Sequence, residues 1–197
     1  MIKIHNIFQK KNNPKQIQKD FIPISVCPIC PGAFNRCSSL KEDIIPSSVK
    51  MIGENAFSEC SSLKELSFPE SVKTIESYLF NKCRSLSRID IPSSVTLIKK
   101  YAFYDCVSLT QIKIPPFVTE ICEFTFYNCK LSKEIEIPSS DVSIHAKSFF
   151  GCQSLTKINI PQSLKKNENR TFGDCCKITK INIKGFETIG RKQLMLE

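Results

Sequence analysis

Three columns of identical residues run along the chain at one interval of 23. Phe34, Phe57, Phe80, Phe103, Phe126, Phe149 and Phe172 form the first. Cys37, Cys60, Cys83, Cys106, Cys129, Cys152 and Cys175 form the second, each three residues after its Phe. Pro23, Pro46, Pro69, Pro92, Pro115, Pro138 and Pro161 form the third. A fixed period in the range of roughly 20–50 residues marks stacked copies of one supersecondary unit, because no single copy can bury its own apolar side. The unit reads L-x-x-[LI]-x-[IF]-P-x-x-V-x-x-I-x-x-x-[AL]-F-x-x-C-x-x, most clearly from Leu63 to Cys83, and its copies cover about Pro23 to Ile183.

Local chemistry follows from the spacing. Leu66 and Phe68 alternate with Glu65 and Ser67 at the period of two that a half-buried strand requires. The next residue, Pro69, has no N–H for a ladder bond and a fixed φ, so it ends the strand and starts a turn at the same height in every copy. Val72 and Ile75 lie on the returning segment. Leu79, Phe80 and Cys83 stand at i, i+1 and i+4, which suits a single helical or 3-10 turn closing the coil. Neighbouring coils at the strand spacing of about 4.8 Å then place like residues over like.

The phrases IPSSVKMIGENAFSECSSLKEL and IPSSVTLIKKYAFYDCVSLTQI resemble the BspA-like leucine-rich repeats. The resemblance implies an α/β fold: a leucine-rich-repeat solenoid, a curved right-handed superhelix of seven 23-residue coils. It places a parallel β-sheet on the concave side, with short strands and single helical or 3-10 turns elsewhere. It also implies a non-enzymatic role in protein binding or adhesion. Some positions depart from the pattern. Asp141 takes a Val place with Val142 one residue late, Leu131 comes one residue early, and Asn167 stands at an Ile place, which marks the last coil as an end of the stack that water reaches. Asp43 falls on a core position of the first strand and Ile44 on an outward one, which predicts a bulge or shift there. The chain thus divides into a basic polar arm or cap at 1–20, the solenoid at 21–183, and a partial repeat at 184–197 that caps the open edge.

Charge is concentrated at the ends. The formal +9 comprises +4 from residues 1–22, +4 from 161–197 and only +1 from the centre, so no continuous basic track points to nucleic acid. Lys3, His5 and Asn6 interrupt the apolar residues at the start, giving no cleavable signal, and no run approaches the roughly 20 apolar residues that span a bilayer. These features point to the cytoplasm, with eleven cysteines as reduced thiols, while the family resemblance leaves a cell-surface location open.

Chemistry-bearing groups are sparse. The Cys column reads as a small apolar residue repeated at one inward position. Cys27, Cys30, Cys122 and Cys176 lie off the pattern and are the candidates for reactivity, but the lone C-x-x-C at Cys27 and Cys30 has no second pair at zinc spacing. His5 and His145 read as surface residues, and the six glycines make no phosphate loop. The sequence therefore predicts no enzyme, no cofactor and no metal.

What varies while its neighbours repeat is the outward side of the sheet: Glu65, Ser67, Arg88, Asp90, Gln111, Lys113, Glu134, Glu136, Lys157, Asn159, Lys180 and Asn182. Glu134 and Glu136 should meet Lys113 and Lys157 across the strands. Arg88, set between Glu65 and Gln111, is the foremost contact residue, since Arg is enriched in binding hot spots. The reading is a scaffold that recognises a protein partner through this face. The alternative is a structural protein that self-associates through its terminal coils.

Overall fold

The computed structural model describes residues 28–138, 142–160, 166–167 and 170–183. Among these residues eleven short strands fall into two rows. One row holds β1 (Glu42–Ile44), β2 (Glu65–Ser67), β5 (Gln111–Lys113), β7 (Glu134–Glu136), β9 (Lys157–Ile160) and β11 (Lys180–Ile183). The other holds β3 (Thr74–Ile75), β4 (Leu97–Ile98), β6 (Glu120–Ile121), β8 (Ser143–Ile144) and β10 (Lys166–Asn167). Every pairing is parallel and joins residues 23 apart, as in Ile112 with Ile135 and Ile75 with Ile98. The result is a parallel-sheet solenoid.

The alternation within the strands sets their two sides. β2, β5 and β7 each bury the middle residue and expose the two flanking ones. Leu66, Ile112, Ile135 and Ile158 thus enter the core from one wall, while Ile75, Ile98, Ile121 and Ile144 enter from the other. Between them the Phe rings are buried and stack face over face, with centroids 5.1 Å apart for Phe34–Phe57, 5.7 Å for Phe57–Phe80, 5.4 Å for Phe80–Phe103 and 5.1 Å for Phe103–Phe126. The same stacking continues to Phe149 and Phe172 at 5.3 and 5.4 Å.

The thiol column has a second reason to be cysteine. Cys83 Sγ donates to the Phe57 carbonyl at 3.0 Å and Cys106 Sγ to that of Phe80 at 3.1 Å, a contact repeated at Cys60, Cys129, Cys152 and Cys175. A thiol is small enough for the core and still gives each carbonyl a donor from the next coil, where Val or Ala would give none.

No helix forms around the Phe residues among the described residues; single i→i+3 turns do close there, as from Cys106 N–H to the Phe103 carbonyl at 3.2 Å, but they do not continue helically. Instead, left-handed residues flank the Phe two positions before and two after. Asn55 and Glu59 flank Phe57 at φ 57° and 59°, and Tyr101 and Asp105 flank Phe103 at 59° and 59°. A helix cannot pass through such residues. The backbone zigzags, and alternate N–H groups point to the next coil: Tyr101, Phe103 and Asp105 donate to the carbonyls of Glu123, Thr125 and Tyr127 at 3.2, 2.8 and 2.8 Å. This third wall is held by inter-coil bonds, as the sheets are. Gly151 (φ 75°) takes the same left-handed place after Phe149, where glycine carries no Cβ penalty.

The irregular positions keep the register. Ser132, not Leu131, fills the buried Leu place and donates to the Leu109 carbonyl at 2.7 Å, so Leu131 is pushed out to half exposure. Val142 is fully buried. β1 pairs with β2 at Asp43↔Leu66 and Ile44↔Ser67 with no slip, so the expected bulge or shift is absent. The first row is interrupted at Arg88–Asp90, where only a single bridge from Ser67 to Asp90 remains. The proposed arm at 1–20, the cap at 184–197 and Cys27 lie outside the described residues, as does the Asn167 side chain.

Candidate functional site

Glu65, Arg88, Asp90, Gln111, Lys113, Glu134, Glu136, Lys157 and Asn159 are all exposed on the outward side of the first row. Except at Arg88 and Asp90, their backbones are fixed by strands whose other side is core, so those positions are rigid while the side chains are free to differ. Lys157 Nζ lies 3.3 Å from Glu134 Oε1, the expected cross-strand pair, and Lys113 stands directly opposite Glu136 in register. Arg88 departs from expectation. It sits in the interruption between β2 and β5, and its guanidinium pairs with Asp90 at 2.9 Å, two residues along the same segment. Both partners remain about 70% exposed (71% and 72%), so the pair adds little to stability and stays open to exchange for another anion.

Four of the buried thiols hold their protons tightly. Burial raises Cys106 and Cys129 above the ordinary thiol range; for Cys60 and Cys152 the adjoining thiols of Cys83 and Cys175 act first and burial adds to it. Cys176 is exposed, and Cys30 and Cys122 are half-buried. Among the described residues no group of three His, Cys, Asp or Glu side chains is arranged to hold a metal ion.

Sequence reasoning missed a polar cleft on the second row. Glu76, Lys99, Cys122 and His145 recur at intervals of 23 and therefore stand side by side. Lys99 Nζ meets Glu76 Oε2 at 2.7 Å, His145 Nε2 meets Glu120 Oε1 at 2.9 Å, and Cys122 Sγ donates to that same carboxylate oxygen at 3.8 Å. With Ser77, Leu97, Lys100 and Glu123 these groups border an open cleft of about 440 Å³. Burial, with the charges of Glu120 and Glu123, pushes the Cys122 thiol up to about 11. At neutral pH it is a protonated thiol, the opposite of an activated nucleophile. The interval alone sets His145 in register with Glu76 and Lys99; what it does not show is the contact with Glu120 from the neighbouring column.

A second unforeseen feature lies on the turn wall. Tyr78, Tyr101 and Phe124 stack at 4.7 and 4.9 Å with planes within 4° of parallel. Beside them Tyr104, Tyr127 and Phe150 stack at 4.9 and 5.1 Å, within 6°. The two stacks touch, Tyr101 to Tyr104 and Phe124 to Tyr127 both at 5.7 Å, and all six rings are half-buried. Tyr78, Tyr101 and Phe124 have φ of 58°, 59° and 56°, a conformation that costs a bulky residue roughly 1–2 kcal/mol and that Gly32 and Asn55 fill in the same column. Burial raises the Tyr101 and Tyr104 phenols above their ordinary range, so they are neutral hydrogen-bond donors at physiological pH. Lys147 Nζ lies 5.4 Å from the Phe124 ring centroid.

Parallel coils with a Leu/Ile sheet wall, a Phe stack and a hydrogen-bonded turn wall define a leucine-rich-repeat solenoid. Residues 5–132 and 119–195 match the family described as the BspA type leucine rich repeat region, in six copies, and the chain belongs to that family. Among solved structures it is similar to a leucine-rich repeat protein of T. pallidum, with 30% identity and a TM-score of 0.73 over 82% of this chain and 74% of that one. A leucine-rich cell surface protein of Faecalibacterium prausnitzii shares 29% identity and a TM-score of 0.61, over 87% of this chain and 54% of the other. A leucine-rich repeat protein of Bacteroides ovatus matches in fold at 23% identity and a TM-score of 0.64, over 84% of this chain and 48% of that one. The chain therefore spans about half the length of these last two. No curated protein sequence matches it. No helix among the described residues is long and apolar enough to cross a membrane.

Proposed function

We propose that the chain is a non-enzymatic protein-binding scaffold that recognises a partner through the outward residues of its larger sheet row. The observation that carries this reading is the contrast within single strands: in β5 and β7 the buried middle residue is Ile in both, whereas the exposed flanks change from Gln111 and Lys113 to Glu134 and Glu136. The core already specifies the coil, which frees the flanks to select a ligand. Arg88 is the foremost contact, since an Arg held only by an exposed Asp90 can exchange that carboxylate for one on a partner.

The test begins with a native partner identified by proximity labelling and confirmed with purified components. Reversing the charges at Arg88, Lys113, Glu134 and Lys157 together weakens that complex; unchanged capture removes the sheet face as the site. An adhesive role at a cell surface draws support from the F. prausnitzii relative, which is described as a cell surface protein. Antibody staining of intact cells, without permeabilisation, is the expected result for that role.

A further inference from the structure

The six stacked rings of the turn wall are not required by the coil. The column of Tyr78, Tyr101 and Phe124 holds Gly32 and Asn55 in other coils, and the column of Tyr104, Tyr127 and Phe150 holds Asn35, Ser58 and Asn81. Those residues fold into the same turns, and Asn55 adopts the same left-handed φ as Tyr78 without strain peculiar to an aromatic. Large, half-exposed rings placed where small polar ones fit better are the signature of a surface kept for contact.

The geometry also restricts what the surface contacts. Within each stack the ring faces are covered by one another, and the Phe124 face beyond is occupied by Lys147. Beyond Phe150 the next residue is Gly173, where even a Cβ would lie 2.6 Å from Phe150 Cδ2, so that ring fills the space. A nucleobase or a sugar needs an open ring face on which to stack; apart from the first rings, Tyr78 and Tyr104, whose columns hold Asn55 and Asn81 before them, these stacks turn their rims outward instead. Ring rims carry the positive side of the aromatic quadrupole, and the four tyrosine hydroxyls are donors, so the surface favours oxygen acceptors.

Local charge points the same way. In the four coils that carry the rings, Lys82, Arg84, Lys100, Lys130 and Lys147 stand beside them against Asp105 and Glu123, with Asp105 held by Arg84 at 3.0 Å, whereas the same columns in the flanking coils hold Arg36 and Arg170 with Glu54, Glu59 and Asp174. The outward sheet face, by contrast, alternates acids and bases. We propose that the aromatic turn wall is a second docking surface, for an acidic segment of a partner protein. It is independent of the sheet-face reading.

The test uses the full chain and a fluorescein-labelled peptide of about a dozen residues alternating Glu and Ala, with Gln-for-Glu and Lys-for-Glu peptides and a dT oligonucleotide of equal length as the other arms. Fluorescence anisotropy should show the Glu peptide binding more tightly than the rest, with affinity falling as salt rises. Tyr101→Asn with Tyr104→Asn, which installs residues the repeat already uses in these columns, should weaken that binding at least about tenfold. Charge reversal at Arg88 and Lys113 should leave it unchanged. Lys82→Glu with Lys100→Glu gives a second variant that leaves the stacks intact and should weaken binding as well. Equal binding of the Glu and Gln peptides, tighter binding of the oligonucleotide, or unaltered affinity in both variants overturns the proposal.

Discussion

Phe103 is the sharpest test of the stack. Its ring is fully buried between Phe80 at 5.4 Å and Phe126 at 5.1 Å. Its backbone serves other coils: the N–H donates to Thr125 at 2.8 Å and the carbonyl accepts Cys129 Sγ at 3.5 Å. Phe103→Ala leaves these main-chain bonds in place and removes only the ring, at a cost of about 3–5 kcal/mol for a fully buried Phe truncated in a packed core. The two ring contacts account for about 0.5–1.5 kcal/mol each beyond the buried area. Phe103→Leu keeps most of the apolar volume and loses both contacts, so it should cost roughly 1–3 kcal/mol. At about 2–4 °C per kcal/mol for a chain of this size, Phe103→Ala lowers the melting midpoint by about 6–20 °C and Phe103→Leu by about 2–12 °C. Denaturant unfolding followed by circular dichroism measures both, and because each coil contacts only its neighbours, a break in mid-stack should also divide the single transition into two. A loss below about 1 kcal/mol for Phe103→Ala, or equal losses for the two variants, refutes the account of stacked rings as the load shared by the coils.

Alkaline pH should destabilise the fold through its thiols. An unfolded cysteine ionises near 9, whereas the buried Cys60, Cys106, Cys129 and Cys152 hold their protons well above that. Above pH 9 the unfolded chain therefore releases protons that the folded chain retains, and stability falls as pH rises, while below 9 these groups contribute no slope. Melting midpoints in reducing buffer from pH 7 to 10.5 should show the break, and Cys122→Ser should lessen the slope by one thiol's share, a share that itself ends near 11; a flat profile is the contrary result. Phe117, 65% exposed, occupies a column in which Ser71 and Ser94 donate to the Val49 and Val72 carbonyls at 2.6 Å. Phe117→Ser should restore that bond, to the Val95 carbonyl, and raise stability by about 0.5–1.5 kcal/mol in urea titration. No gain there would mean that the phenyl group packs usefully where it lies.

The interior was legible because its Phe and Cys columns repeat without exception, and their interval of 23 is also the interval of every strand pairing. What escaped reading depends on φ or on residues that do not repeat. Leu79, Phe80 and Cys83 fit a helical turn as well as the observed zigzag, and nothing in Tyr78 or Lys82 announces a positive φ, since Gly or Asn would be the usual sign. The ring stacks were invisible because they occupy only some coils. The pairing of Arg88 with Asp90 instead of with residues across the strands follows from the interrupted sheet, which the alternation of Ser87, Arg88, Ile89 and Asp90 does not reveal. His145 looked isolated because its carboxylate partner, Glu120, comes from the preceding coil, two positions away from its equivalent site.

The strict 23-residue offset of every inter-coil strand pairing has a consequence for how such a chain changes length. Excising one whole period, from a point in one coil to the same point in the next, leaves a Phe above a Phe, a thiol beneath a carbonyl and a strand beside a strand. Duplicating one does the same. Fractional changes shift a column against its neighbour and expose it to water, so growth proceeds in integer steps, and each added step supplies a fresh set of surface positions at no cost to the ones already in use.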